Sequence, residues 1–475
     1  MTRILMVASE AAPFAKTGGL ADVLGSLPPA LRTQGEDVAV VIPLYRSCPR
    51  SESTRLVVEG YGVQLGSKTY EVAIREALNR GVSYYLVDCP VLFDRDGLYG
   101  ESGRDFSDNH VRFAVLSRTA LDIARRIFRP HILHCHDWQA ALAPIYLRTA
   151  FGSDPDLLGM KTVFTIHNLG YQGLFGPSIL PEIGLNESLF RPEGIEFFGK
   201  VNLLKGGVIY SDFVSTVSRS YAELIQTPEY GFGLDGVLRA RKSDVFGIVN
   251  GVDYCEWDPE TDPHLPARYS VSDFGGKLIC RRELLREFQL PTEGNDCPLI
   301  GIVGRLTSQK GIDVIAAAAS EIFREDLLMV ALGTGDPEYE DLFRHLASAH
   351  PGKFAVRIGY DNRLAHAITA GADMFLMPSR YEPCGLNQIY SLRYGTVPVV
   401  RATGGLDDTI DEGTGFKFSE YSPEAMLKCL RSALNVFRSD PERWKAMMIR
   451  GMQKDFSWGR TAAEYSKLYQ RLLHE

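Results

Sequence analysis

Apolar runs of four to six residues punctuate this 475-residue chain, and stretches with apolar positions three and four apart lie between them. Such runs, bounded by turn residues, read as buried strands, and the 3.6-residue spacing reads as helix. In the first half the predicted strands are Ile4–Ala8, Val38–Ile42, Val82–Val87, Ile132–Cys135, Thr162–Thr165, Phe213–Thr216 and Val245–Val249. Helices are predicted over Leu20–Gln34, Asp108–Phe128 and Ser218–Gln226. The second half restarts with Leu299–Val303, Leu327–Ala331, Phe354–Ile358, Met374–Met377 and Val397–Val400. Short aliphatic strands alternating with helices specify an α/β protein with parallel sheets.

The restart implies two doubly wound, Rossmann-like domains with a cleft between them, residues 1–250 and 251–458, followed by a helix in 459–475 that can pack on either domain. A chain of this length exceeds one compact core. The segment Trp257–Pro266 carries three prolines in ten residues and reads as a surface connector. In doubly wound sheets ligands gather at the carboxyl ends of strands, so polar residues just after the predicted strands are the candidates for chemistry.

Composition narrows the classes of partner. With 45% hydrophobic and 23% charged residues and a net charge of −8, nothing favours a nucleic acid or an anionic membrane surface. No run approaches the ~18 apolar residues of a membrane span, and Ile4–Ala8 is too brief for the apolar core of an export signal. Eight scattered cysteines without a C-x-x-C pair suit reduced thiols in a cytoplasm.

The string T-G-G-L-x-D occurs twice, at 17–22 and 403–408, each time opening into a predicted helix. Paired glycines let backbone approach a bulky group, and a helix start favours an anion. On the loop after Leu299–Val303, Arg305 and Lys310 can reach one pocket, Arg as a planar fork and Lys as a point charge. The segment Pro378–Gln388 places Glu382 ahead of a helix start near Cys384, Gly385 and Leu386. His134 and His136 share one strand face, which admits a metal reading, although no third ligand stands at a suitable spacing. His167 and Asn168 end the next strand, and Asn250 and Asp253 stand just past the last strand of the half. Asp94 and Asp96 have the D-x-D spacing of some metal-dependent transferases but lie several residues past their strand. Gly333-Thr-Gly335 lacks the third glycine of a dinucleotide fingerprint.

Together KTGGLADV (16–23), HDWQ (136–139), TIHNLGYQG (165–173), NGVD (250–253), GRLTSQKG (304–311), PSRYEPCGL (378–386) and ATGGLDDTI (402–410) resemble bacterial glycogen synthases and plant starch synthases, in order and across almost the whole chain. The resemblance implies a GT-B fold and metal-independent transfer of glucose from ADP-glucose to the non-reducing 4-hydroxyl of an α-1,4-glucan such as glycogen, with retention. It implies that Lys16, Gly18 and Gly19 bind the glucosyl nucleotide, that Arg305 and Lys310 grip its diphosphate, and that Glu382 with the Cys384–Leu386 amides holds the glucose hydroxyls. Thr403, Gly404 and Gly405 are expected over the phosphates and Tyr360 along the adenine. His167 is expected beside the reacting carbon, with Asp137, Asn168, Asn109 and Tyr99 around the sugar and acceptor. Ser308 and Asn387 depart from the family pattern, where W-Q-K and G-L-T-Q are usual. The competing expectations are a UDP-glucose-using enzyme with another acceptor, such as one making sucrose or trehalose phosphate, and a non-catalytic sugar-nucleotide sensor.

Overall fold

The computed structural model describes residues 1–48, 54–101, 103–292 and 297–475. Two compact units emerge. The first comprises Met1–Val217, Ala222–Gly251 and Trp458–Glu475, and the second comprises Ser218–Tyr221 and Val252–Ser457.

The first unit is built on a nine-stranded sheet. Its parallel part runs Val82–Asp88, Asp37–Pro43, Arg3–Val7, Ile132–His136, Lys161–Ile166, Phe213–Thr216 and Val245–Gly247 across the sheet. Numbered along the chain, this is the order 3-2-1-4-5-6 of a Rossmann sheet with one strand added. Arg3–Val7 and Ile132–His136 are enclosed from Ile4 to Val7 and from Ile132 to His136, as expected of strands covered on both faces. The terminal helix Trp458–His474 packs on the helix Gly19–Thr33 of this unit, and Thr461 Oγ donates to Val249 O at 2.9 Å.

The second unit holds a six-stranded, all-parallel sheet: Phe354–Ile358, Leu328–Gly333, Leu299–Val303, Met374–Met377, Val397–Arg401 and Phe416–Phe418. This again reads 3-2-1-4-5-6. Period-two alternation divides its strands between two cores. Ile300, Met329, Leu376 and Val399 join one cluster, while Leu299, Val330, Phe375 and Val400 join the other. Both faces are therefore sealed by helices.

Strand and helix centres follow the sequence expectation, but three regions differ. Two long antiparallel strands, Thr54–Leu65 and Lys68–Asn79, extend the first sheet beyond Val82–Asp88. They alternate polar and apolar residues, expose much of their length and shift register between Leu56 and Tyr61, so no continuous apolar run marks them. The helix expected to Phe128 is regular only over Asn109–Ile123 and then widens into a π-turn over Ala124–Phe128, ending at left-handed Arg129.

The segment Trp257–Pro266 is not a surface connector. Trp257 lies parallel between His366 and Tyr390, with ring centroids 3.7 and 3.8 Å away. Asp262 is buried and accepts hydrogen bonds from Tyr394 OH at 2.5 Å and the His366 ring at 2.7 Å. The prolines mark bends in a chain held down by aromatic packing. Among the described residues no helix is long and apolar enough to cross a membrane. Removing the Trp257 ring is expected to cost about 3–5 kcal/mol of second-unit stability. Denaturant unfolding of Trp257→Ala checks this, and an unshifted midpoint would show that the stack contributes nothing.

Candidate active site

A Rossmann sheet reverses direction between its first and fourth strands, and ligands sit beyond the carboxyl ends at that point. In the first unit those strands are Arg3–Val7 and Ile132–His136, and the loops leaving them are 8–18 and the turn at Asp137. In the second unit they are Leu299–Val303 and Met374–Met377, followed by loops 304–311 and 378–386. About half of the sequence-predicted residues fall on these loops. His167 and Asn168, Asn250, Tyr360 and the 403–405 turn follow other strands of the same two sheets.

In the first unit Glu10, which the motif reading passed over, organises the glycine turn. Its buried carboxylate accepts from Thr17 N at 2.5 Å and Thr17 Oγ at 2.9 Å, and burial raises its pKa. Lys16 Nζ meets Asp22 Oδ1 at 2.6 Å. A Cβ added at Gly18 or Gly19 would touch nothing within 4 Å, so the protein's own packing does not demand glycine there. Open space before a bare helix start is the geometry an anionic ligand uses.

Asp137 begins the short helix after Ile132–His136 in the left-handed conformation, φ 55°. Its Oδ1 accepts the His167 amide at 2.7 Å, which ties strand four to strand five. Burial pushes its carboxyl up to about 7, against the pull of the His167 and Asn168 amides, with Glu10 adding repulsion. Burial holds the His167 imidazole down at about 3, so its ring is neutral at physiological pH. Asn168 Oδ1 closes a turn onto Gly170 N. Tyr99 OH lies 2.8 Å from Ser9 Oγ, and Asn109 Nδ2 donates to Tyr99 O at 2.8 Å. Behind them the fully buried Arg112 donates to Asn109 Oδ1, Leu92 O and Leu98 O. Asn250 is buried, and its Oδ1 has no hydrogen-bond partner among the described residues.

His134 is not a metal ligand in waiting. It is enclosed, with Nδ1 2.7 Å from Tyr469 OH and Nε2 2.6 Å from Thr165 Oγ. Among the described residues no group of three or more His, Cys, Asp or Glu is placed to hold a metal ion. The D-x-D pair is occupied too: Arg46 reaches Asp94 Oδ1 and Asp96 Oδ2, each at 2.9 Å.

In the second unit Lys310 Nζ lies 2.6 Å from Glu382 Oε2, which also accepts from Ser379 Oγ at 3.0 Å. The two switch-point loops are thereby clasped, and the Lys310 ammonium is aimed by a buried carboxylate. Arg305 is exposed on the same loop, with Nη2 3.2 Å from Gln309 Oε1. Gln388 Nε2 laces Cys384 O, Gly385 O and Thr409 Oγ, fixing the turn before the helix Asn387–Arg393. Asn387 donates to Val303 O at 2.7 Å, so this departure from the family pattern is a bond to strand one. Thr403 Oγ is buried without a partner among the described residues, and Tyr360 stands 82% exposed.

The second glycine pair has a different cause from the first. A Cβ at Gly404 would come within 2.0 Å of Glu382 O, one at Gly405 within 2.0 Å of Cys384 O, and Gly404 has φ 49°. Glycine is required here because the turn packs onto the Glu382–Cys384 backbone, where Gly405 N donates to Glu382 O. Asp408, whose role the motif did not suggest, accepts from the Arg219 and Ser220 amides, while Ser218 Oγ donates to Pro383 O.

Two Rossmann units, each presenting polar groups at its switch point, define a GT-B glycosyltransferase, and comparison with known proteins agrees. Residues 3–240 match the family described as starch synthase catalytic domain, and residues 286–446 match glycosyl transferases group 1. Similar curated proteins include glycogen synthase of Koribacter versatilis (strain Ellin345), 52% identical and covering 98% of each chain, and of Anaeromyxobacter sp. (strain Fw109-5), 49% identical and covering 99% of each. The catalytic domain of starch synthase IV from Arabidopsis thaliana, solved with ADP and acarbose, superposes with a TM-score of 0.91 at 32% identity over all of both chains. Sucrose-phosphate synthase from Thermosynechococcus elongatus shares the fold, with a TM-score of 0.63 at 16% identity. The chain belongs to the glycogen and starch synthase family.

The glycine pairs are expected to respond differently to alanine. Gly19→Ala should leave the melting temperature unchanged or higher, whereas Gly405→Ala should destabilise the second unit by about 1–3 kcal/mol; thermal scans compare them, and equal losses would contradict the packing described. Asp137 predicts a pH effect. Above pH about 4 its unfolded carboxyl has lost its proton while the folded one retains it, so stability from this group falls as pH rises toward about 7. Asn tolerates the positive φ, so Asp137→Asn should gain stability relative to the parent between pH 4 and 8, read as the difference in melting temperature. A constant difference would refute the raised pKa.

Proposed function

We propose that this chain transfers glucose from ADP-glucose to the non-reducing 4-hydroxyl of an α-1,4-glucan, with retention at the anomeric carbon, and so elongates glycogen. The observation that carries the reading is the clasp of Lys310 by Glu382 on the second switch point, with Arg305 on the same loop. It supplies oriented positive charge where a doubly wound domain takes a diphosphate. The ADP in the similar starch synthase IV structure supports the choice of nucleotide.

Breaking the bond from the anomeric carbon to phosphate leaves oxocarbenium-like charge on the sugar and negative charge on ADP. Cations held rigid before the reaction stabilise that separation more than they stabilise the bound substrate. In this reading Arg305 and Lys310 hold the diphosphate, with Thr403 and the Gly404–Gly405 turn beside it. Glu382 steers Lys310 and, with the Cys384, Gly385 and Leu386 backbone, meets the glucose hydroxyls. Tyr360 lies along the adenine. From the first unit, Lys16, the Gly18–Gly19 turn and Asn250 serve the glucosyl nucleotide. His167, Asp137 and Asn168 serve the reacting sugar, and Tyr99 and Asn109 the acceptor.

Glu382 Oε2 is already engaged by an ammonium and a hydroxyl, which suits a steering role better than nucleophilic attack. The acceptor hydroxyl therefore enters on the face that ADP leaves and passes its proton to the departing phosphate oxygen. The reaction is assigned no metal. Eight free cysteines suit a reducing cytoplasm, where we place the enzyme.

Release of ADP in the presence of glycogen, measured across ADP- and UDP-glucose and a panel of acceptors, tests the assignment. Arg305→Ala and Lys310→Ala are each expected to lower kcat by about two to three decades. Near-normal turnover in either variant, or trapping of a glucosyl–Glu382 adduct by mass spectrometry, would overturn the mechanism. Turnover with UDP-glucose alone would overturn the substrate.

A further inference from the structure

The strand Ile132–His136 buries two imidazoles on one face, and neither is consumed by the chemistry above. His134 and His136 stack with ring centroids 4.2 Å apart. His136 Nδ1 lies 3.0 Å from His167 Nε2. The other nitrogen of His136, Nε2, is buried and has no partner among the described residues.

Hydrogen-bond bookkeeping fixes where the protons lie. Two imidazole nitrogens at 3.0 Å share one proton, because two lone pairs or two N–H groups would repel. Burial, reinforced by the neighbouring imidazoles, holds His136 well below its ordinary pKa, so its ring carries a single proton. If that proton were on Nε2, a buried N–H would stand without an acceptor, a rarer and costlier arrangement than an unused lone pair. The proton therefore sits on Nδ1 and is donated to His167 Nε2. His167, also neutral, must keep its own proton on Nδ1.

The layer beneath holds this arrangement in place. Burial keeps the Tyr469 hydroxyl protonated; it lies 2.7 Å from His134 Nδ1, and Thr165 Oγ lies 2.6 Å from His134 Nε2. Thr165 Oγ in turn lies 2.5 Å from Ser215 Oγ. Every polar atom of the His134 ring is used, so the ring makes a fixed floor for the His136 plane.

We propose that His136 is a positioning residue that locks His167 into the Nδ1–H tautomer, so that His167 meets substrate oxygen as a permanent hydrogen-bond donor and never as an acceptor. The assignment of substrate to His167 rests on the proposed function, but the tautomer does not, and the two are tested separately.

Long-range proton–nitrogen correlation spectra of the full-length protein labelled with ¹⁵N-histidine, with His167→Gln identifying the signal, report the tautomer directly. The expected result is a protonated Nδ1 and a bare Nε2 on His167; the reverse overturns the proposal whatever the substrate is. His136→Asn returns an amide N–H near the Nδ1 position and should keep kcat within about threefold. His136→Leu should lower kcat about 10- to 100-fold with ADP-glucose and glycogen, leave KM for ADP-glucose within about twofold, and let His167 populate both tautomers. An unchanged His167 signature in the Leu variant, or equal losses in both variants, would sink the role. If His136→Leu fails to fold, the parent spectrum and the Asn variant still decide.

Discussion

The positions of the candidate residues follow from one topological constraint. A right-handed crossover from strand to parallel strand leaves every carboxyl end on the same edge of the sheet. Where the strand order turns back on itself, the loops from two neighbouring strands part and leave backbone uncovered. Both units turn back between their first and fourth strands, and the candidate chemistry collects there. The helices sealing each face supply the stiffness: in the second unit, alternate residues of every central strand are committed to one core or the other. Side chains beyond the strand ends are therefore held on a rigid scaffold, as preorganised catalysis needs.

Within that scaffold charge is placed by pairing. Lys310 is steered by Glu382, Lys16 by Asp22, and Arg46 is spent on Asp94 and Asp96. Each pairing lowers the cost of ordering a long cationic side chain before substrate arrives. The first unit adds neutral buried groups to its charged pairs. Asp137 is held with a raised pKa, and His134, His136 and His167 are uncharged by burial. The second unit thus carries oriented charge suited to a diphosphate, and the first combines paired charge with a set of uncharged imidazoles.

Much of this was legible in the sequence because buried parallel strands are uniformly aliphatic and motifs follow them directly. Leu299–Val303, Phe354–Ile358 and Met374–Met377 coincide with their predicted bounds. The Thr54–Asn79 strands were not legible, since a half-exposed edge pair with a register shift shows no unbroken apolar run. Trp257–Pro266 misled because proline marks a bend without saying whether the bend is covered, and the cover comes from His366 and Tyr390, more than a hundred residues on. The identical glycine strings misled in another way. One faces open space and the other faces the Glu382–Cys384 backbone, a difference that no local pattern encodes. Glu10 and Asp408 carry no local signal because each accepts from backbone amides as well as a hydroxyl, and amides leave no trace in a motif.

The terminal helix Trp458–His474 belongs to the first unit although some two hundred residues of the second unit precede it in the chain. Its Tyr469 hydroxyl supplies the hydrogen bond on His134 that squares the histidine stack. A nascent chain emerging from the ribosome therefore makes the whole second unit before the helix that completes its first unit. The histidine floor can be completed only after the second unit has been made, which ties the competence of the first-made strands to residues synthesised beyond an entire intervening unit.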